Sequence, residues 1–113
     1  MTTTLAAKWE AKRTDETRQI EDVLREAGFA QVDSYRYNSA SIRLRVVDPR
    51  FEKLSPEKRD ALVEPHLEQL PERTQADIMS LFTFAPSEVL QSAGSSRACI
   101  LNVEFDDPSP SML

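Results

Sequence analysis

The side chains in this sequence able to do chemistry are few, and each sits alone or among like charges. His66 is the sole histidine and Cys99 the sole cysteine. An imidazole titrates near neutrality and can act as base or ligand. A base also needs an orienting partner and a nucleophile within reach, and nothing at useful spacing supplies them, so His66 is expected to pack beside a helical apolar stripe. A single thiol makes neither an intramolecular disulfide nor a cysteine-based zinc site. With only Arg97 adjacent as a cation, Cys99 is expected to be buried filler on the apolar face of a strand.

Two charged sets remain. Arg36, Arg43, Arg45 and Arg50, interleaved with Tyr35 and Tyr37, are the one basic cluster in a chain of formal charge −5. On an open sheet such a set can stack on bases and contact phosphates of a single strand. Strand pairing offers another use, in which Asp33 faces Arg45 and Tyr35 faces Arg43 as a cation–π contact. Glu57, Asp60 and Glu64, with Glu52 nearby, share a helix face at i, i+3, i+7. They alternate with Lys53, Lys58 and Arg59, as on a solvated helix surface rather than a metal site. No Gly-rich phosphate loop, nucleophile elbow or paired-carboxylate geometry is visible. The sequence assigns no catalytic residue, metal or cofactor, and a non-enzyme is expected.

A chain of 113 residues, 40% hydrophobic and 29% charged, suits one globular domain. The acidic balance disfavours non-specific binding to nucleic acid or anionic lipid. No run approaches the roughly 18 apolar residues of a membrane span, and the N-terminus lacks an apolar stretch of signal-peptide length. A reducing cytoplasm is the expected setting.

The elements that must position these residues follow from periodicity. Ile20, Val23, Leu24 and Ala27 recur at helical spacing, with Thr14 or Asp15 as cap and Gly28 as terminator. An earlier helix start near Thr4 would add Leu5 and Trp9 as an i, i+4 pair. Residues 32–37 and 41–48 read as a hairpin turning at Asn38-Ser39-Ala40. Ile42, Leu44 and Val46 mark its buried face; Arg43 and Arg45 mark a wet one. Ser55-Pro56-Glu57 starts a helix that Pro65 should kink or divide. Residues 78–84 are apolar on both faces, as in a central strand. Pro86 to Leu90 is a short helix, Ser92 to Ser96 a loop with Gly94, and Cys99 to Phe105 a last strand. The expected fold is α+β in the order α-β-β-α-β-α-β, a small mixed sheet of three to four strands with helices packed on one face.

From the first helix to Glu88 the string resembles the BolA family. Ser34-Tyr35-Arg36-Tyr37-Asn38 is similar to that family's first-strand signature. Val46-Val47-Asp48-Pro49-Arg50-Phe51 resembles its second strand and link, residues 55–70 its long helix, and Leu81-Phe82-Thr83-Phe84-Ala85-Pro86-Ser87-Glu88 its last strand and closing acidic turn. The resemblance spans about residues 17–90 and implies an α-β-β-α-β core similar to a class II KH domain without its Gly-X-X-Gly loop. It also implies association with monothiol glutaredoxins around a shared iron–sulfur cluster held partly by histidines. Asp60, after Arg59, and Tyr37 stand at the histidine positions, and a carboxylate is a hard, poor substitute for imidazole there.

Three segments are expected: an N-terminal helical extension or arm at 1–14, one BolA-like domain at 15–105, and a flexible acidic tail at 106–113. The expected role is a non-catalytic interaction module binding a protein partner or a second copy. Its candidate surface comprises Tyr35, Arg36, Arg43, Arg45, Arg50, Phe51, Arg59 and Asp60. KH-like nucleic-acid binding through Tyr35, Arg36, Arg43 and Arg45, and glutaredoxin-linked iron–sulfur handling, are the alternatives.

Overall fold

Thr14 starts the first helix. Its hydroxyl accepts from the Thr17 backbone N–H, and the Thr17 hydroxyl accepts from Thr14 N–H, a reciprocal cap. The computed structural model describes residues 8–89 and 96–112. A short 3-10 helix, Lys8–Lys12, precedes α1, Asp15–Glu26. The proposed helix start near Thr4 and the residue Leu5 lie outside the described residues, as does Gly94 of the expected loop. Gly28, at φ 95°, takes the left-handed turn that releases the chain from α1.

The hairpin forms as the alternation requires. β1, Gln31–Asn38, pairs antiparallel with β2, Ser41–Val47, setting Asp33 against Arg45 and Tyr35 against Arg43. A 3-10 turn, Pro49–Phe51, leads to α2, Pro56–Leu67, capped by Ser55 with Pro56 in its first turn. Pro65 lies within α2, which ends two residues later, and the chain restarts after Pro71 as α3, Glu72–Asp77. β3, Ile78–Phe84, then joins β2 in parallel, giving the sheet order β1-β2-β3. β3 is therefore an edge strand. Its two apolar faces reflect cover from above and below, not a central position. The short helix α4, Pro86–Val89, follows.

The C-terminal segment departs from expectation. Residues 97–106 form a helix, α5, Arg97–Asp106, started by the Ser96 hydroxyl accepting from Cys99 N–H. Cys99 accordingly lies half-buried on a helix, not on a strand, and the sheet has three strands. Ala98, Leu101 and Phe105 recur at i, i+3, i+7 and pack down on the sheet.

Helices thus cover both faces. Ile20, Leu24, Ile42, Leu44, Val46, Phe51, Val63 and Leu67 build the larger core under α1 and α2. On the opposite face Trp9, Tyr35, Val47, Phe82, Phe84 and Phe105 build a second one. The face read as wet is closed, and its arginines are paired inside it. Beyond α5 the chain turns back to β1: Tyr37 donates its hydroxyl hydrogen to Ser109 O at 2.7 Å, and Asn38 Nδ2 lies 3.0 Å from Ser111 Oγ.

Candidate interaction groove

The basic cluster is consumed by the fold. Arg45 is 6% exposed; it reaches Asp33 at 2.8 Å, Asp106 at 2.7 Å and Asn102 Oδ1 at 2.9 Å. Arg43 donates to Tyr35 Oη at 3.3 Å and Glu104 Oε1 at 3.2 Å, and its guanidinium lies 3.7 Å over the Tyr37 ring rather than over Tyr35. Tyr35 is fully buried, and its hydroxyl donates to Phe105 O at 3.0 Å. Burial pushes its phenol up from the ordinary value, against the lowering contact with Arg43.

On the opposite face, Arg36 is held between Glu16 and Asp77. Arg50 folds back on Asp48 at 3.0 Å, with its guanidinium 4.0 Å from the Phe29 ring centre. Phe51 is core. His66 meets Phe29 edge-on at 5.8 Å between ring centres, as packing predicts.

Arg59 and Asp60 are the two expected surface residues that line a cleft. A cleft of about 280 Å³ lies between the start of α2, the outer side of β3, α4 and α5; Asp60, Leu81, Thr83, Glu88 and Leu101 are among its walls. A second, of about 360 Å³, continues along α2 and β3 between Glu64, Leu67, Glu68, Gln75, Ile78 and Leu81. Leu81 lines both, so the two clefts adjoin as a groove along the outer edge of β3 that this side chain divides.

The ladder fixes what this edge presents. Asp48 N–H donates to Phe84 O at 3.1 Å, and Val47 is the partner of Phe84 across the ladder, so Phe84 and Phe82 direct their main chain toward β2. Leu81 and Thr83 direct theirs outward. Arg59 Nη1 donates to Thr83 O at 3.0 Å and also to Glu88 Oε1 at 2.6 Å. No described residue caps the outward N–H and C=O of Leu81. The other sheet edge is partly capped by α1: Ser34 N–H donates to Glu21 Oε2 at 2.8 Å, and Arg25 Nη2 donates to Val32 O at 3.1 Å.

Electrostatics differ sharply along the groove. Burial raises the Glu88 carboxyl, but hydrogen bonds from Arg59 and the Ala85 N–H and the Arg59 charge hold it below the ordinary glutamate value. Asp60 goes the other way, raised by burial and by Glu64 and Glu57 beside it. No described cation pairs with Asp60. Sequence reasoning singled out Arg59 and Asp60 but missed Leu81, Glu68 and Glu88. The spacing of 60, 64 and 68 along one helix stripe was the available signal; the free edge of β3 had none.

No family model and no curated protein match this chain. Among solved structures it is similar to the BolA domain of SufE1 from Arabidopsis thaliana, with a TM-score of 0.50 and 17% identity over 68% of this chain and 99% of that one. It also matches BolA1 from Arabidopsis thaliana, with a TM-score of 0.47 and 15% identity over 67% of this chain and 98% of that one. The fold is BolA-like. Nearly the whole of the SufE1 BolA domain is matched, while about a third of this chain lies outside the match.

Proposed function

We propose that this BolA-like fold serves as a non-catalytic protein-interaction module whose docking element is the outer edge of β3. The observation that carries the reading is the outward main chain of Leu81, uncapped by any described residue, at the meeting point of two clefts. An uncapped strand edge is a template for an added strand, with main-chain hydrogen bonds giving affinity and flanking pockets giving selectivity. On the opposite edge α1 side chains already occupy Val32 O and Ser34 N–H, which favours β3 as the one used.

Nucleic-acid binding draws no support from the geometry. It needs Tyr35, Arg36, Arg43 and Arg45 free, and each is buried or ion-paired. Iron–sulfur handling fares no better. Among the described residues no group of three His, Cys, Asp or Glu is arranged to hold a metal. Asp60 supplies a hard ligand where a soft cluster favours imidazole or thiolate, and Tyr37 is engaged by Arg43 and Ser109. The residues present do not fit that cluster. A cytoplasmic setting accords with this reading.

A photo-cross-linking residue at Met79, which is 68% exposed on β3, tests the module. The control position is Gln19, exposed on α1. Discrete protein adducts are expected at 79, lost when Thr83→Pro removes an outward N–H while sparing the ladder. The same adducts from both positions, or adducts to nucleic acid, would overturn the reading.

A further inference from the structure

Asp60, Glu64 and Glu68 recur at i, i+4, i+8, and all three line the groove beside the β3 edge. None has a hydrogen bond or ion pair from its side chain to another described residue. Carboxylates four apart on a helix repel, so this stripe works against α2 and is left uncompensated. Ten of the other sixteen acids meet arginines: Asp15, Glu16, Glu21, Asp22, Asp33, Asp48, Asp77, Glu88, Glu104 and Asp106.

The spacing has a complement. Four residues of α-helix rise about 6 Å, and two residues of extended strand rise about 6.6–6.8 Å. A strand added to β3 would therefore bring every second side chain level with successive carboxylates of the stripe. Alternate side chains would face the other way, toward Ala98 and Leu101 of α5, which wall the same groove. α2 runs antiparallel to β3, since Asp60 accompanies Thr83 at one end and Glu68 accompanies Ile78 at the other.

Resting on the docking role of the β3 edge, we propose that its partner is a basic extended segment of another protein. Lysine or arginine stands at alternate positions of that segment, and apolar residues stand between them. A second copy of this chain is the poorer occupant. Pairing β3 with β3 would set two uncompensated acidic stripes side by side, and the chain's own alternating basic run, Arg43-Leu44-Arg45, lies in the central strand. A polyanion is repelled by the same stripe.

Fluorescence anisotropy with the full chain tests this using four short labelled peptides: alternating Lys-Val, alternating Gln-Val, alternating Glu-Val, and an isomer of the first with its lysines blocked together. The Lys-Val peptide should bind about tenfold more tightly than the Gln-Val peptide, the combined effect of a few exposed ion pairs. The blocked isomer and the Glu-Val peptide should be weaker still. The combined variant Asp60→Asn, Glu64→Gln, Glu68→Gln, which relieves repulsion and so leaves folding intact, should remove the difference between Lys-Val and Gln-Val. Thr83→Pro should weaken both.

Equal binding of Lys-Val and Gln-Val, both lost with Thr83→Pro, would overturn the basic partner while leaving the docking edge standing. Equal binding of the blocked isomer, insensitive to Thr83→Pro, would reduce the effect to diffuse charge attraction and overturn the proposal. A self-paired dimer in sedimentation, abolished by Thr83→Pro, would replace it with self-association. Absence of all peptide binding would overturn it too, and the cross-link at 79 would then decide the docking role separately.

Discussion

The Tyr35 hydroxyl donates to the Phe105 carbonyl at 3.0 Å, tying the first strand to the last helix across 70 residues of sequence. The phenol oxygen also accepts from Arg43, so one buried atom joins β1, β2 and α5. Tyr35→Phe should leave the ring packing in place and lose both bonds, at a cost of about 1–2 kcal/mol in chemical denaturation. A change within error would mean that water already serves this hydroxyl.

Arg45 is the charge that α5 was placed to cover. It lies between Asp33 on β1 and Asp106 on α5. Arg45→Met should cost about 3 kcal/mol, because it leaves the buried Asp33 carboxylate with only Gln31 at 2.9 Å and the longer Arg13 contact at 3.7 Å. Adding Asp33→Asn should recover about 1 kcal/mol or more of that loss, since a neutral amide is cheaper to leave buried. Additive losses in the double variant would show that the pair is not the source.

The sole tryptophan reports on the same layer. Trp9 lies 5.4 Å from Phe105 and 5.8 Å from Tyr35 between ring centres. Phe105→Ala should destabilise the protein by about 3–5 kcal/mol through loss of burial and the cavity left behind. It should also red-shift Trp9 emission as water enters. An unshifted spectrum would detach Trp9 from α5.

Asp60 makes stability depend on pH in a direction opposite to most carboxylates. Its folded value is raised, so its contribution is fully present below the ordinary aspartate range and is lost as pH rises through that raised value. The charges around it are Glu57 and Glu64 on its own helix, Arg59 engaged with Glu88 of α4, and Arg97 of α5 across the cleft. Asp60→Asn should therefore raise the melting temperature at neutral pH, by about 2 °C for relief of like-charge pairs. The gain should fade as pH falls through that raised value, where the wild-type carboxyl takes up its proton. A gain that persists in acid would contradict the assignment.

Much of the scaffold was legible because local and tertiary signals agree. Thr14 and Gly28 bracket a helix whose apolar stripe has one period, and the Arg43/Arg45 alternation forced the register that the ladder adopts. Residues 97–106 were ambiguous. Cys99, Leu101, Val103 and Phe105 alternate like a strand, while Ala98, Leu101 and Phe105 fit a helix equally well. The helix prevails because it lays that stripe on Phe82 and Phe84 and brings Glu104 and Asp106 to the arginines. The same event closed the face read as wet: its counterions lie some sixty residues downstream, beyond any local pattern. In the groove, Asp60 was visible as a residue type, whereas the open edge at Leu81 depends on strand order, which composition does not encode.

Amide hydrogen exchange along β3 tests the open edge most directly. Phe82 and Phe84 direct their N–H groups to β2, and Leu81 and Thr83 direct theirs outward. The expected result alternates: slow exchange at Phe82 and Phe84, fast at Leu81 and Thr83, with Leu81 slowing when the Lys-Val peptide is added. Uniformly slow exchange from Leu81 to Phe84 in the isolated protein would contradict the account, because the edge would then already be paired.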